Sequence, residues 1–474
     1  MWQVNQDRIL SLNENRSIAV EFPIFQVPYL GNGMTIALNA VFHVVISHGI
    51  SIGVMAMVVV SEYLGLKNPS EDWENFSKTL LKPTIIIVTG LGAVTGVGIW
   101  FITSALSPRG IGSLLRVFFW PWFIEWIVFT LEVIVLLTYY FTWGRWTGHR
   151  KRYHIYLGLS YVLFALASAF LITGILGFML TSDGWPWDQS FWSAFFNPSF
   201  VPQFLLRIAG AFTLGTLFSV AFLLYTFQKD PFRKEALRFL SKIAFLSFFA
   251  VFVFSWWYFT VVPSAFKTDI IFSVLTSRFS QQPELFWYAN VTGAAVFFLF
   301  ALFGLRGSPT LLKILVVPTI LISIGFVTEF ERIREFIRGP YLMPGYMYAN
   351  QVLLKENPFL DEKGALKGAY WYNETVSKPD VTHQGAYLFA QNCSVCHTIG
   401  GINDIRDRVR GRTEDGILVI LKHAHEMVPF MPPCSGTEDE RRVLATFFYQ
   451  LSNKEIEIGA PSRFAPLKGF RKNE

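Results

Sequence analysis

Eight runs of mostly apolar residues limit what this chain can fold into. They cover about 34–64, 83–106, 114–142, 153–181, 202–227, 238–264, 286–304 and 311–329. A bilayer-crossing helix needs about 20 such residues. Inside hydrocarbon every backbone amide must find its partner within the protein, which leaves helices for runs of this length. The expected fold class is therefore all-α, a polytopic membrane helix bundle of about eight spans. Loop charges set its direction. Lys67, Lys78, Lys82, Arg145, Arg150, Lys151, Arg152, Lys229, Arg233, Lys234, Arg238, Arg306 and Lys313 fall in one set of loops. The other set holds only Arg109, Arg116, Lys267 and Arg278, and 182–201 holds no Lys or Arg. The richer set is expected on the cytoplasmic side, so both termini lie outside. The net charge of +6 sits in these short loops, and no nucleic-acid partner is expected. Residues 1–18 are polar and Val20–Leu30 is a short amphipathic run, so no cleavable signal peptide is evident.

Titratable groups inside such spans are costly and usually functional. Span one carries His43 and His48, about 140° apart around the helix. Span three carries Glu125 and Glu132, seven residues apart and close to one face. His43 and Glu125 fall at similar depth towards the outside, and His48 and Glu132 fall near the midplane. These groups are candidates for iron ligation or proton transfer. His149 and His154 are read as part of a basic loop.

Past the last span, Cys393-Ser-Val-Cys396-His397 forms a C-x-x-C-H sequence, the attachment signal for a c-type haem. Two thiols two residues apart add across the haem vinyl groups, and the adjacent imidazole reaches the iron. A zinc site would need further thiolates or paired histidines, and Cys434 is the one cysteine left. An amphipathic helix starting near Gly385 leads into the motif. Met427-Val-Pro-Phe-Met431-Pro-Pro-Cys434 follows, and Thr437-Glu-Asp-Glu caps a last helix through Leu451. This region resembles a class I cytochrome c domain. On that resemblance His397 and Met431 are the axial ligands, with Met427, His423 and His425 as fallbacks. Cys434 is expected to be an unpaired, partly buried thiol.

The membrane portion is similar to subunit I of cytochrome bd oxidases. The resemblance rests on Leu38-Asn-Ala-Val-Phe-His43, Gly92-Ala-Val-Thr-Gly-Val-Gly, Glu125 with Glu132, Asn197-Pro198 with Phe204 to Gly215, and Glu335-Phe-Ile-Arg338-Gly-Pro340-Tyr341. It implies His43 and Glu335 as haem ligands, Arg338 beside the haem, and Glu125 and Glu132 at the active-site haem and its proton path. The departures are as informative. Leu206 stands where the family has its low-spin haem histidine, Asn290 at or near the matching methionine, and Trp100 where an acid is expected. Arg207 is then read as a group for a haem propionate. The quinol-binding loop shrinks to about 265–285, and a ninth span gives way to the c-type domain.

The expected organisation is an N-terminal outer-face segment 1–33, a bd-like haem domain 34–340, an aromatic linker 341–377 and a periplasmic cytochrome c domain 378–474. The expected cofactors are one covalent haem c and one or two membrane haems, haem b or a related high-spin haem. The resemblance implies respiratory electron transfer in the bacterial inner membrane. Electrons would pass between a periplasmic cytochrome c or other donor, haem c and the membrane haem, with oxygen as a terminal acceptor. A second membrane subunit and lipid are the expected partners. The alternatives are a non-catalytic anchor subunit of a larger redox complex and a quinol/quinone oxidoreductase.

Overall fold

The computed structural model describes residues 24–68, 70–182, 184–228, 230–270, 284–366, 380–458 and 470–472. Residues 1–23 of the N-terminal segment, Lys229, most of the 265–285 loop with Arg278, and linker residues 367–379 with Tyr370, Trp371 and Tyr372 lie outside the described residues. Among those described, eight helices are long and apolar enough to cross a membrane, as the hydropathy pattern predicts. We name them α1 (Asn32–Lys67), α2 (Glu71–Leu106), α3 (Phe119–Phe141), α4 (Gly148–Phe178), α5 (Phe200–Thr226), α6 (Asp230–Val261), α7 (Glu284–Leu305) and α8 (Pro309–Phe336). The chain is an integral membrane protein.

The chain divides into two compact units, one of residues 37–101 and 113–338 and the other of 1–36, 102–112 and 339–474. In the first, α1 is wound as a π-helix over Val45–Val54 and α2 over Ile87–Gly92. These stretches pack on each other, with Ile46 against Gly92. Short π segments are rare and occur often at functional sites. The same part of α1 lies against α5 with no room for side chains: a Cβ on Gly53 would stand 2.1 Å from the Ala211 carbonyl oxygen, and one on Gly215 would stand 2.2 Å from the Gly53 carbonyl carbon. Small residues allow such close backbone approach where apolar burial cannot choose between lipid and protein. Elsewhere the core is aromatic, with Trp73 edge-on to Phe232 at 5.2 Å and Phe248 stacked on Phe297 at 3.7 Å.

The second unit holds α9 (Asn357–Lys363), α10 (Val381–Asn392), α11 (Ile405–Val409), α12 (Glu414–Met427) and α13 (Glu438–Ser452). Two-stranded pairings at Tyr341–Met343 with Met347–Tyr348, and at Ile456–Ile458 with Phe470–Lys472, complete it. The cap expected at Thr437 is a full capping box. Its hydroxyl accepts from Glu440 N, and the Glu440 carboxylate accepts from Thr437 N. The same carboxylate also takes the amides of Ala365 and Leu366, at 2.7 and 2.9 Å. α10 crosses α13 at Gly385, where a Cβ would meet Phe447 Cβ at 2.3 Å. Leu388, Phe389, Leu444, Phe447 and Phe448 close the core around that crossing.

Candidate functional sites

Around the C-x-x-C-H motif, the end of α10 continues into a turn. Asp380 caps the helix start by accepting from Thr382 N, and His397 N donates to the Cys393 carbonyl at 2.8 Å. This turn brings Cys393, Cys396 and His397 together. The imidazole of His397 is buried, which with the nearby Arg408 charge pushes its pKa down to about 4. It is therefore neutral at neutral pH and able to give a lone pair to iron. Its Nδ1 is buried with no hydrogen-bond partner among the described residues. Two thiols and a neutral imidazole on one turn, with Cys393 packed against the apolar core of the unit, suit a covalently held haem.

His425 Nδ1 lies 2.8 Å from the Met431 carbonyl oxygen. A carbonyl only accepts, so that nitrogen carries the proton and His425 steadies the loop of Met431. Tyr348 packs edge-on against His425 at 6.4 Å and stacks on Tyr341 at 5.4 Å. Of the other fallback ligands, His423 faces Glu426 at 2.9 Å and Met427 is 57% exposed. One neighbour was not foreseen. Residues 24–33 line the motif, with Gln26 Nε2 donating to Ser394 Oγ at 2.9 Å and Gly33 N to the Val395 carbonyl at 3.1 Å.

Burial pushes the Cys434 thiol up to about 12, so about one in ten thousand molecules is ionised there at pH 8. Thiolate is the reactive form. Cys434 in the native protein should therefore take up no iodoacetamide at pH 8, and react fully in urea. Rapid native labelling at Cys434, followed by mass spectrometry, would contradict this.

In the membrane unit, His43 Nδ1 lies 3.0 Å from Thr95 Oγ1, whose own proton goes to the Leu91 carbonyl at 2.7 Å. The threonine oxygen must therefore accept from Nδ1–H, and Nε2 keeps its lone pair. An acceptor on one ring nitrogen orients metal-binding histidines in this way. The ring lies against Gly96, where a Cβ would stand 3.1 Å from Cε1. His48 Nδ1 faces Ser47 Oγ at 2.9 Å, and its Nε2 is buried without a partner among the described residues.

Glu125 accepts from Ser168 Oγ at 3.0 Å. Glu132 accepts from Ser51 Oγ at 2.7 Å, and Ser51 lies 2.6 Å from the Tyr161 hydroxyl. The two carboxyls thus have separate partners on α4 and on α1 with α4. Arg207 Nη2 reaches Glu331 at 3.2 Å, and Arg338 pairs with Glu335. Leu206 is packed in an apolar cluster with Tyr258 and Ile337. Asn290 Nδ2 donates to the Phe286 carbonyl at 3.0 Å and to Glu329 at 3.3 Å. Trp100 lies against Trp122, with ring centroids 4.5 Å apart.

His154 does not behave as a loop residue. It is 1% exposed, with Nδ1 2.6 Å from Glu62 and Nε2 2.9 Å from the Tyr139 carbonyl. Glu62 also takes the Tyr139 hydroxyl at 2.5 Å and Lys151 at 3.0 Å. A carboxyl inside an apolar run calls for a buried partner, but the sequence does not name which residue that is.

Residues 33–262 match the family model described as cytochrome bd terminal oxidase subunit I. Over that segment the chain is similar to subunit I of cytochrome bd terminal oxidases. Among solved structures, the bd oxidase from Geobacillus thermodenitrificans matches with a TM-score of 0.55 and 16% identity, over 65% of this chain and 86% of that one. At that identity the likeness concerns fold. No curated protein matches. His43, Glu125, Glu132 and Arg207 fall inside the matched segment, and Glu335 and Arg338 fall beyond it.

Proposed function

We propose that this chain is the core subunit of a bd-like respiratory oxidase that receives electrons through its own c-type haem instead of from quinol. The carrying observation is the treatment of the two family positions for low-spin haem. Leu206 is sealed into an apolar cluster, and the Asn290 amide is spent on Phe286 and Glu329. Neither offers a ligand, while Cys393, Cys396 and His397 offer a separate haem attachment turn. The family match over 33–262 and the shared fold support the membrane half of the reading.

When bound, the haems supply one-electron storage and the place where oxygen is reduced. His397 and Met431 would hold the iron of a haem c, and Cys393 and Cys396 would hold its ring. His43 would offer its Nε2 lone pair to a membrane haem, Glu335 would be a second ligand, and Arg207 and Arg338 would meet the haem carboxylates. Glu132, Ser51 and Tyr161 hold a proton within a hydrogen-bonded set, and Glu125 with Ser168 holds another. On this reading 34–340 is the haem bundle, 341–377 a linker and 378–474 a periplasmic cytochrome c domain in the bacterial inner membrane. Its partners are a second membrane subunit, lipid, and a cytochrome c or other periplasmic donor.

Pyridine haemochrome analysis should find one covalent haem c with one or two extractable haems, and carbon monoxide should shift the spectrum of the latter. Covalent haem alone would remove the membrane half of the reading. Extractable haem blind to carbon monoxide would leave an electron-transfer subunit without oxidase chemistry. A low-spin b haem with rapid quinol oxidation by the isolated chain would overturn the proposed entry route.

A further inference from the structure

A guanidinium buried in a membrane bundle is costly unless each of its donors is met. Three of them gather where α5, α6 and the end of α8 pack. Arg207, Arg334 and Arg338 are 8, 9 and 7% exposed. Glu331, 5% exposed, takes Arg207 at 3.2 Å and Arg334 at 2.7 Å, while Arg338 pairs with Glu335, whose side chain is 48% exposed. Arg207 Nε, Arg334 Nη1 and Arg338 Nε still have no partner among the described residues. The same holds for both amide atoms of Gln203, one helical turn before Arg207, and for the Tyr258 hydroxyl. Tyr258 lies within electrostatic reach of Arg207, Arg334, Arg338 and Glu331, so those five form one cluster, which Gln203 adjoins one turn along α5. Leu180, Leu206 and Ile337 shield it.

We propose that this cluster is the carboxylate-binding pocket of the membrane haem, with Gln203, Tyr258 and Arg334 as binding residues beside Arg207 and Arg338. The inference rests on the membrane-haem reading above. Charge supports a dianion. Arg207 and Arg334 share the single carboxylate of Glu331, which leaves one positive charge uncompensated. Arg338 becomes a second if Glu335 turns to iron. Guanidinium forks suit planar carboxylates, and the Gln203 amide and Tyr258 hydroxyl add neutral donors. Anionic oxygens could also come from a phospholipid headgroup, and the test separates the two sources.

The experiment uses purified full-length protein carrying Arg334→Gln, Gln203→Leu or Tyr258→Phe. Extractable haem per covalent haem c, the midpoint potential of the extractable haem, and co-purified phospholipid phosphorus are measured. Arg334→Gln should weaken haem retention about tenfold, the scale of one charged hydrogen bond, and Arg334→Lys should restore part of it. Tyr258→Phe keeps charge and volume, and should leave the bundle folded while lowering the midpoint potential. Fewer donors at the carboxylates disfavour the reduced, less positive iron. Unchanged haem content and potential in all three variants would overturn the pocket, and so would loss of phosphorus in place of haem. Wild-type protein with no extractable haem would refute the membrane-haem reading itself, and the pocket with it.

Discussion

A Cys393→Ala, Cys396→Ala double variant is expected to lose all haem that survives denaturing electrophoresis, while keeping its extractable haem. On the proposed attachment, two thioether bonds would need two sulfurs on one turn, and the turn that follows α10 carries both. His397 remains in the variant, but a coordinate bond alone does not survive denaturant. Cys434 cannot substitute, because it is buried and follows the Met431 loop in the core of the unit. On the proposed entry route, loss of haem c should also slow reduction of the membrane haem by an added cytochrome c at least about tenfold. Persisting haem stain in the double variant would refute the attachment reading. Full donor-driven turnover without haem c would refute the entry route.

The second large effect concerns the α1–α5 contact. Gly53→Leu should abolish the folded membrane unit. Its Cβ alone would stand 2.1 Å from the Ala211 carbonyl oxygen and 2.8 Å from Gly215 Cα. Both are backbone atoms, so no rotamer change relieves the clash, and the two helices must part. Overpacking a rigid core costs about 1–3 kcal/mol and more where backbone must move. Gly210→Ala on α5 is the control, because nothing lies within 4 Å of a Cβ there. Thermal melts followed by size-exclusion chromatography should show Gly210→Ala near wild type and Gly53→Leu aggregated. A monodisperse Gly53→Leu protein would mean that α1 and α5 are not in backbone contact.

The π-wound segment explains why that contact also matters for the site. It carries His48 and Ser51, and Ser51 joins Glu132 to Tyr161. Parting α1 from α5 would break that set even where the helices themselves survived. His43, one turn earlier and held by Thr95 on α2, would be less affected.

Hydropathy was a sufficient guide to the eight spans, since a bilayer demands length and apolarity and little else from each helix. The Thr437 cap and the helix into Cys393 were legible for a similar reason, as both are local hydrogen-bond patterns. His154 was misread because a histidine beside Lys151 and Arg152 looks like a basic loop, and only folding brings Glu62 to it.

By itself, then, the sequence determined the helical membrane class of the protein, the positions of its spans, the helix leading into the C-x-x-C-H turn and the set of titratable groups placed within the spans. These follow from composition and short-range spacing, which act within one helix. The tertiary structure alone decided partners: Thr95 for His43, Ser51 and Tyr161 for Glu132, Glu331 for Arg207 and Arg334, and Gly215 for Gly53. The physical reason is that lipid tails and apolar side chains are nearly equivalent surroundings for a helix face, so hydrophobic patterning says little about which helices meet. That choice falls to close backbone fit and to buried polar groups that must find each other in space.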